Sequence, residues 1–200
     1  SSLASSFASR QNTLAVSLTP LFADEDKYES LCGMYRSRSK KVPAEYSGDV
    51  TDLLSSVCFS DPYCCGALLL TVTGHLYQYN SINETLVPLN LRGLDEPLTH
   101  YELQVFTDSQ LETLSNDLEK PTSRLYGIST SVFDEHDGTV DYLGALIFLY
   151  STSEYENLIA SADLFPESNF SLLDEDHNII FSSDDSYDSA ENLLLNTSAP

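Results

Sequence analysis

Leu3, Phe7, Leu14 and Leu18 recur at steps of four, seven and four, which places them on one stripe of a helix that Pro20 ends. A second helix is predicted from Asp24 to Arg36, where Tyr28, Leu31, Cys32 and Tyr35 fall three and four apart behind an acidic first turn that suits the helix dipole. Pro43 and Gly48 are expected to break the chain. A short third helix then follows, capped by Asp49 or Thr51, burying Leu53, Leu54 and Val57, and stopped by Asp61-Pro62.

From Cys65 onward the pattern is that of strands. Ala67 to Thr73 is a continuous β-prone run, Gly74-His75 is a turn, and Leu76 to Tyr79 returns, which predicts a hairpin. Asn80 to Pro97 reads as loop, with Pro88, Gly93 and Pro97. Tyr101 to Phe106 alternates as a strand, and Asp108 to Lys120 reads as a helix closed by Pro121. The strongest strand pair is Leu125 to Phe133 with Tyr142 to Tyr150, around a turn at Asp134 to Gly138. Ser153 to Ala162 is helical, with Tyr155, Leu158 and Ile159 apolar. A second hairpin follows, Phe170 to Asp174 and Ile179 to Phe181 around Glu175 to Asn178. Setting Leu70 against Leu173 places Gly74-His75 on His177-Asn178 and Leu76-Tyr77 on Ile179-Ile180, a weak self-similarity that matches two copies of one α+β module, the second of them short.

Composition narrows the function. A chain of 200 residues with 42% hydrophobic content can bury a core without metals or disulfides. Its net charge of −22 argues against nucleic acid and against anionic membrane surfaces, both of which require basic stripes. Arg36, Arg38, Lys40 and Lys41 form the one cationic cluster and read as a solvated loop after a helix. The longest apolar run, Tyr142 to Tyr150, is about half of the ~20 residues a membrane span needs. No nucleophile-elbow, zincin, P-loop or dinucleotide fingerprint occurs, and this segment is expected not to be an enzyme. His75, His136 and His177 fall in predicted hairpin turns, where a solvated ring is the commoner role. Asp134, Glu135, Asp137 and Asp141 have the density of a calcium site but not the EF-hand spacing, and an acidic β-turn explains them as well. Neither metal nor cofactor is expected.

Cys58 and Cys64 bracket a tight connection whose ends can approach disulfide distance, while adjacent Cys64 and Cys65 on a strand point to opposite faces. Buried thiols and a Cys58 disulfide both remain open. Twelve tyrosines and no tryptophan is a distinctive choice. Tyr77, Tyr79, Tyr101, Tyr126 and Tyr142 all fall on strands expected in one sheet, where a ring with a hydrogen-bonding tip suits either a pocket wall or a half-buried surface.

The order of elements resembles the double Cache extracellular sensor domain of bacterial transmembrane receptors, whose modules have a PAS-like fold. The likeness is carried by Asp61-Pro62, the Leu68 to Tyr79 hairpin, Leu125 to Asp134, Gly138, Leu143 to Ile147 and Tyr155 to Leu158. Phe170 to Ser183 is similar to the opening of the membrane-proximal module of sensor histidine kinases that pair with AraC-type regulators. The resemblance implies an α+β fold in which residues 1–163 are a helical stalk plus a membrane-distal Cache module and residues 164–200 begin an incomplete membrane-proximal one. It implies an extracytoplasmic sensor, most like that of a two-component histidine kinase, with a small-molecule ligand and a homodimer of the receptor formed through the N-terminal helix. Family members that bind amino acids use a motif containing Trp; this chain has none, so that ligand class does not carry over.

A chemoreceptor or cyclic-dinucleotide enzyme could own the same ectodomain, and a secreted hydrolase or a surface adhesion domain are the alternatives of other classes. In the sensing case the ligand is expected over the sheet beside the Asn80 to Pro97 connection. Tyr101 and Tyr126 are the expected wall residues, with Tyr79 and, as a polar contact, Ser129. Ser129 shares a pocket with Tyr126 only if a twist or bulge intervenes, and His100 is set aside because it alternates with Tyr101.

Overall fold

The computed structural model describes residues 9, 18–89, 103–105, 125–136, 138–161, 171–173 and 179–182. Leu3, Phe7 and Leu14, the helix expected at 108–120, Tyr101, positions 90–97 and the turn at 175–178 lie outside the described residues. The chain forms an α+β fold. After a 3-10 turn, Thr19–Phe22, helix α1 spans Glu25–Arg36 and is capped by Asp24, whose carboxylate accepts from the Lys27 amide at 3.2 Å. Helix α2 spans Ala44–Cys58. It begins five residues before the expected cap, because Pro43 sits at the N-cap, where a fixed φ and a missing amide start a helix rather than break one. Gly48 lies inside it on an exposed turn.

Strands β1 (Cys64–Thr71), β2 (Leu76–Asn80), β3 (Thr85–Leu89), β4 (Leu103–Val105), β5 (Leu125–His136) and β6 (Thr139–Ser151) form one antiparallel sheet in the order β3-β2-β1-β6-β5-β4. The first hairpin and the long strand pair therefore share a sheet, as expected. Two local expectations are corrected. Residues 85–89, read as loop, are a strand paired to β2, and Pro88 is accommodated because β3 is the edge strand among the described residues, with no further strand there to receive an amide. Asp134, Glu135 and His136, read as turn, continue β5, and the ladder runs to His136↔Thr139, three residues further than the acidic run suggested. Helix α3, Ser153–Ser161, follows β6, and β7 (Ser171–Leu173) pairs with β8 (Ile179–Ser182) as a separate two-stranded sheet.

Helices α1 and α2 cover one face of the large sheet. Leu31, Met34, Tyr35, Val50, Leu53, Leu54 and Val57 pack there against Ala67, Leu69, Tyr77, Tyr79, Leu146, Phe148 and Tyr150. Each such side chain contributes about 1.5 to 3 kcal/mol on burial. Alternation delivers Leu68, Leu76, Leu125, Ile147 and Leu149 to the opposite face, where they form a second buried cluster that Cys65 joins through a register shift in β1. Cys64 and Cys65 thus belong to different cores.

Candidate functional site

The face away from the helices is apolar at its centre and polar at both sides. Gln78 is the middle residue of β2, and its partners across the ladder are Leu68 and Val87. Leu68 in turn faces Ile147, and Ile147 faces Ser129. One cross-strand row therefore reads Gln78, Leu68, Ile147, Ser129 from β2 through β1 and β6 to β5. With strands spaced at about 4.8 Å, its polar ends are roughly 14 Å apart along the backbone.

Gln78 and Ser129 are each 1% exposed, and among the described residues neither the Gln78 carboxamide oxygen and nitrogen nor the Ser129 hydroxyl has a hydrogen-bond partner. This is an expensive arrangement. A buried polar group without a partner costs about 1 to 3 kcal/mol, and natural sheets rarely leave one so. Neighbouring polar groups behave otherwise. The Asn80 side-chain oxygen accepts from the Ile82 amide at 2.9 Å, and the Thr71 hydroxyl accepts from the His75 amide at 3.0 Å.

Of the expected site residues, Ser129 lies in this row. Tyr79 does not: it occupies the helix-side face, fully buried, in the row of Leu86, Ala67, Phe148 and Ile128. Burial pushes its phenol up, with Ser55 nearby opposing the shift, although the hydroxyl makes no hydrogen bond of ordinary geometry. Position 126 is paired with Tyr150 and Val105, and the ladder from Leu125 to Val132 runs without a register shift. The bulge that would bring positions 126 and 129 to one face occurs later, between Val132 and Phe133. Positions 126 and 129 therefore alternate along β5, as the sequence reading has it, and Tyr101 lies outside the described residues. Gln78 was not among the expected residues. Its signal was an amide set between apolar neighbours in Leu76-Tyr77-Gln78-Tyr79.

The acidic end of the β5–β6 hairpin is built differently from a cation site. Asp134 pairs with Arg36, the last residue of α1, so the basic cluster read as solvated loop lends one member to the sheet. Among the described residues, no group of three or more His, Cys, Asp or Glu side chains is placed to hold a metal ion. The bulge beside Asp134 is read by α1: the Tyr28 hydroxyl donates to the Phe133 carbonyl at 2.8 Å and accepts from the Phe133 amide at 3.3 Å. Two turns on, the Tyr35 hydroxyl of the same helix donates to the Ala145 carbonyl of β6 at 2.8 Å. The helix is thus hydrogen-bonded to both strands that carry the Ile147–Ser129 half of the row.

Among the described residues the chain is an α+β sheet with helices packed on one face and, on the other, an apolar row with Gln78 and Ser129 at its ends. A scan of protein-family models finds none that matches this chain, and no curated protein matches it.

Proposed function

We propose that this chain is an extracytoplasmic ligand-sensing domain of the double Cache type, part of a transmembrane receptor most like a two-component sensor histidine kinase. The support at the level of fold is an antiparallel sheet flanked by helices, an arrangement compatible with a PAS-like module. The observation that carries the reading is the pair of buried, unpartnered groups on Gln78 and Ser129 at the two ends of one apolar row.

A small neutral molecule with a hydrogen-bonding group at each end and an apolar middle complements that row. The carboxamide supplies both a donor and an acceptor, the hydroxyl either, and Leu68 and Ile147 the apolar floor. Satisfying both ends ties β2 and β1 to β6 and β5. Because Tyr28 and Tyr35 fasten α1 to β5 and β6, a state in which the row is drawn together differs in helix packing from one in which it is not. The ligand shifts the population between these states by its difference in affinity for them.

The test is Gln78→Met, which keeps volume and removes the amide. Without ligand the variant is expected to be more stable than the parent by about 1 to 3 kcal/mol in urea denaturation, since the unpaired groups are gone. In a thermal-shift screen of short-chain diols and diamides, compounds that raise the melting temperature of the parent should lose that effect in Gln78→Met and in Ser129→Ala. A destabilised Gln78→Met, or hits that ignore both substitutions, would remove the row as the binding site.

A further inference from the structure

Cys58 closes α2 and Cys64 opens β1, and between them the chain is already folded into the shape that a cross-link needs. The Asp61 amide donates to the Cys58 carbonyl at 3.3 Å, the Cys64 amide donates to the Asp61 carbonyl at 3.1 Å, and the buried Asp61 carboxylate accepts from the Tyr63 amide at 2.9 Å. These bonds bring the two thiols into contact, with the Cys64 Sγ donating to the Cys58 Sγ at 3.1 Å. They are not cross-linked, and both are buried, at 3% and 7% exposure. The remaining cysteines are placed elsewhere. Cys65 faces the opposite core, and Cys32 directs its Sγ to the Phe133 carbonyl at 3.6 Å.

We propose that Cys58 and Cys64 are an oxidisable dithiol, converted to an intramolecular disulfide by exchange with a low-molecular-weight or protein disulfide. One thiol loses its proton and attacks the oxidant's S–S bond, giving a mixed disulfide and releasing one oxidant thiolate. The second thiol loses its proton and attacks the protein sulfur of that mixed disulfide, expelling the other half of the oxidant. Two protein thiols are oxidised, one external disulfide is reduced to two thiols, and the two protons pass to the released thiolates. The sulfurs have to close by about 1 Å to reach bonding distance, a movement within the reach of side-chain rotation when the backbone ends are already held together. The link pins the end of α2 to the start of β1, the central strand that carries Leu68 of the polar–apolar row. It does not depend on what that row binds.

Burial makes access the slow step, so the 200-residue chain is incubated with a mixture of reduced and oxidised glutathione, in buffer and again in mild urea, then alkylated. Chymotryptic cleavage after Phe59 and Tyr63 separates Cys58 from Cys64, and the expected product is a fragment pair held together through these two residues, with Cys32 and Cys65 alkylated. The melting temperature of the oxidised chain should exceed that of the reduced chain by about 5 °C, as a short closed loop in the unfolded state predicts. Cys58→Ser and Cys64→Ser should each abolish the shift. Four alkylated cysteines under both conditions, a link through Cys32 or Cys65, or glutathione retained on Cys58 and Cys64 separately would overturn the assignment; the mapping on the unsubstituted chain decides even if a serine variant fails to fold.

Discussion

Tyr35 shows what single positions contribute. Its ring is buried between α1 and β6, and its hydroxyl donates to the Ala145 carbonyl. Burial holds the phenol well above the usual tyrosine range, with Tyr142, Tyr28 and Cys32 adding to the effect. In the unfolded chain it ionises near pH 10. Below that pH both states keep the proton and the contribution to stability is complete. Above it only the unfolded state releases the proton, so folding stability falls by about 1.4 kcal/mol for each pH unit. The buried Cys32 and Cys64 thiols, both raised, Cys32 chiefly by desolvation and Cys64 by its hydrogen bond to Cys58, act in the same direction and start the decline somewhat lower. Urea denaturation between about pH 8 and pH 11 should show this loss. Tyr35→Phe should cost about 1 kcal/mol at neutral pH and make the alkaline decline shallower by one proton; an unchanged slope would mean that the phenol titrates freely in the folded chain.

At the scale of elements, two glycines with opposite roles separate what the helices and the sheet require. Gly144 adopts φ +150° beside the β5–β6 bulge, and a Cβ there would stand 2.1 Å from the Leu70 carbonyl oxygen and 2.9 Å from the Tyr35 ring. Backbone on one side and a buried ring on the other leave nothing cheap to move. Gly144→Ala should therefore cost about 3 kcal/mol or more in chemical denaturation. Gly48, inside α2, has open space around the corresponding position, so Gly48→Ala should stabilise by about 0.5 to 1 kcal/mol through helix propensity. Equal effects at the two sites would contradict the close approach of β1 and β6. The expectation that Gly48 would break the chain failed for the same reason that the second substitution should help: packing of Val50, Leu53, Leu54 and Val57 outweighs one poor helix former.

For the molecule as a whole the dominant long-range term is its net charge of −22. Like charges repel most strongly in the compact state, and salt screens them over about 10 Å at 0.1 M. The melting temperature should rise by several degrees between low salt and about 0.3 M sodium chloride, measured calorimetrically. Local ion pairs respond in the opposite direction, but those such as Lys27–Asp24 are exposed and weak. A melting temperature that falls with salt would show that pairs such as Arg36–Asp134 outweigh the general repulsion.

Local chemistry was sufficient to read α1, both hairpins, the long β5–β6 pair, α3 and the separation of Cys64 from Cys65, because helical and strand periods are written into neighbouring residues. It was also sufficient to bring Cys58 near Cys64, since only five residues intervene. It did not bring Gln78 to Ser129. That row exists because β1 pairs with β6 in one register, a match between strands far apart in the chain, and a slip of one residue would send either group to the helix side. The separation of position 126 from position 129 was local, since alternation alone gives it, but the place of the bulge, between Val132 and Phe133, goes with the hydrogen bonds that Tyr28 of α1 makes to the Phe133 backbone. The sequence alone determined which residues could be buried and with what period. The tertiary structure decided which buried polar groups share a face and which are left without a partner, because those outcomes follow from non-local pairing and from the packing of both faces at once.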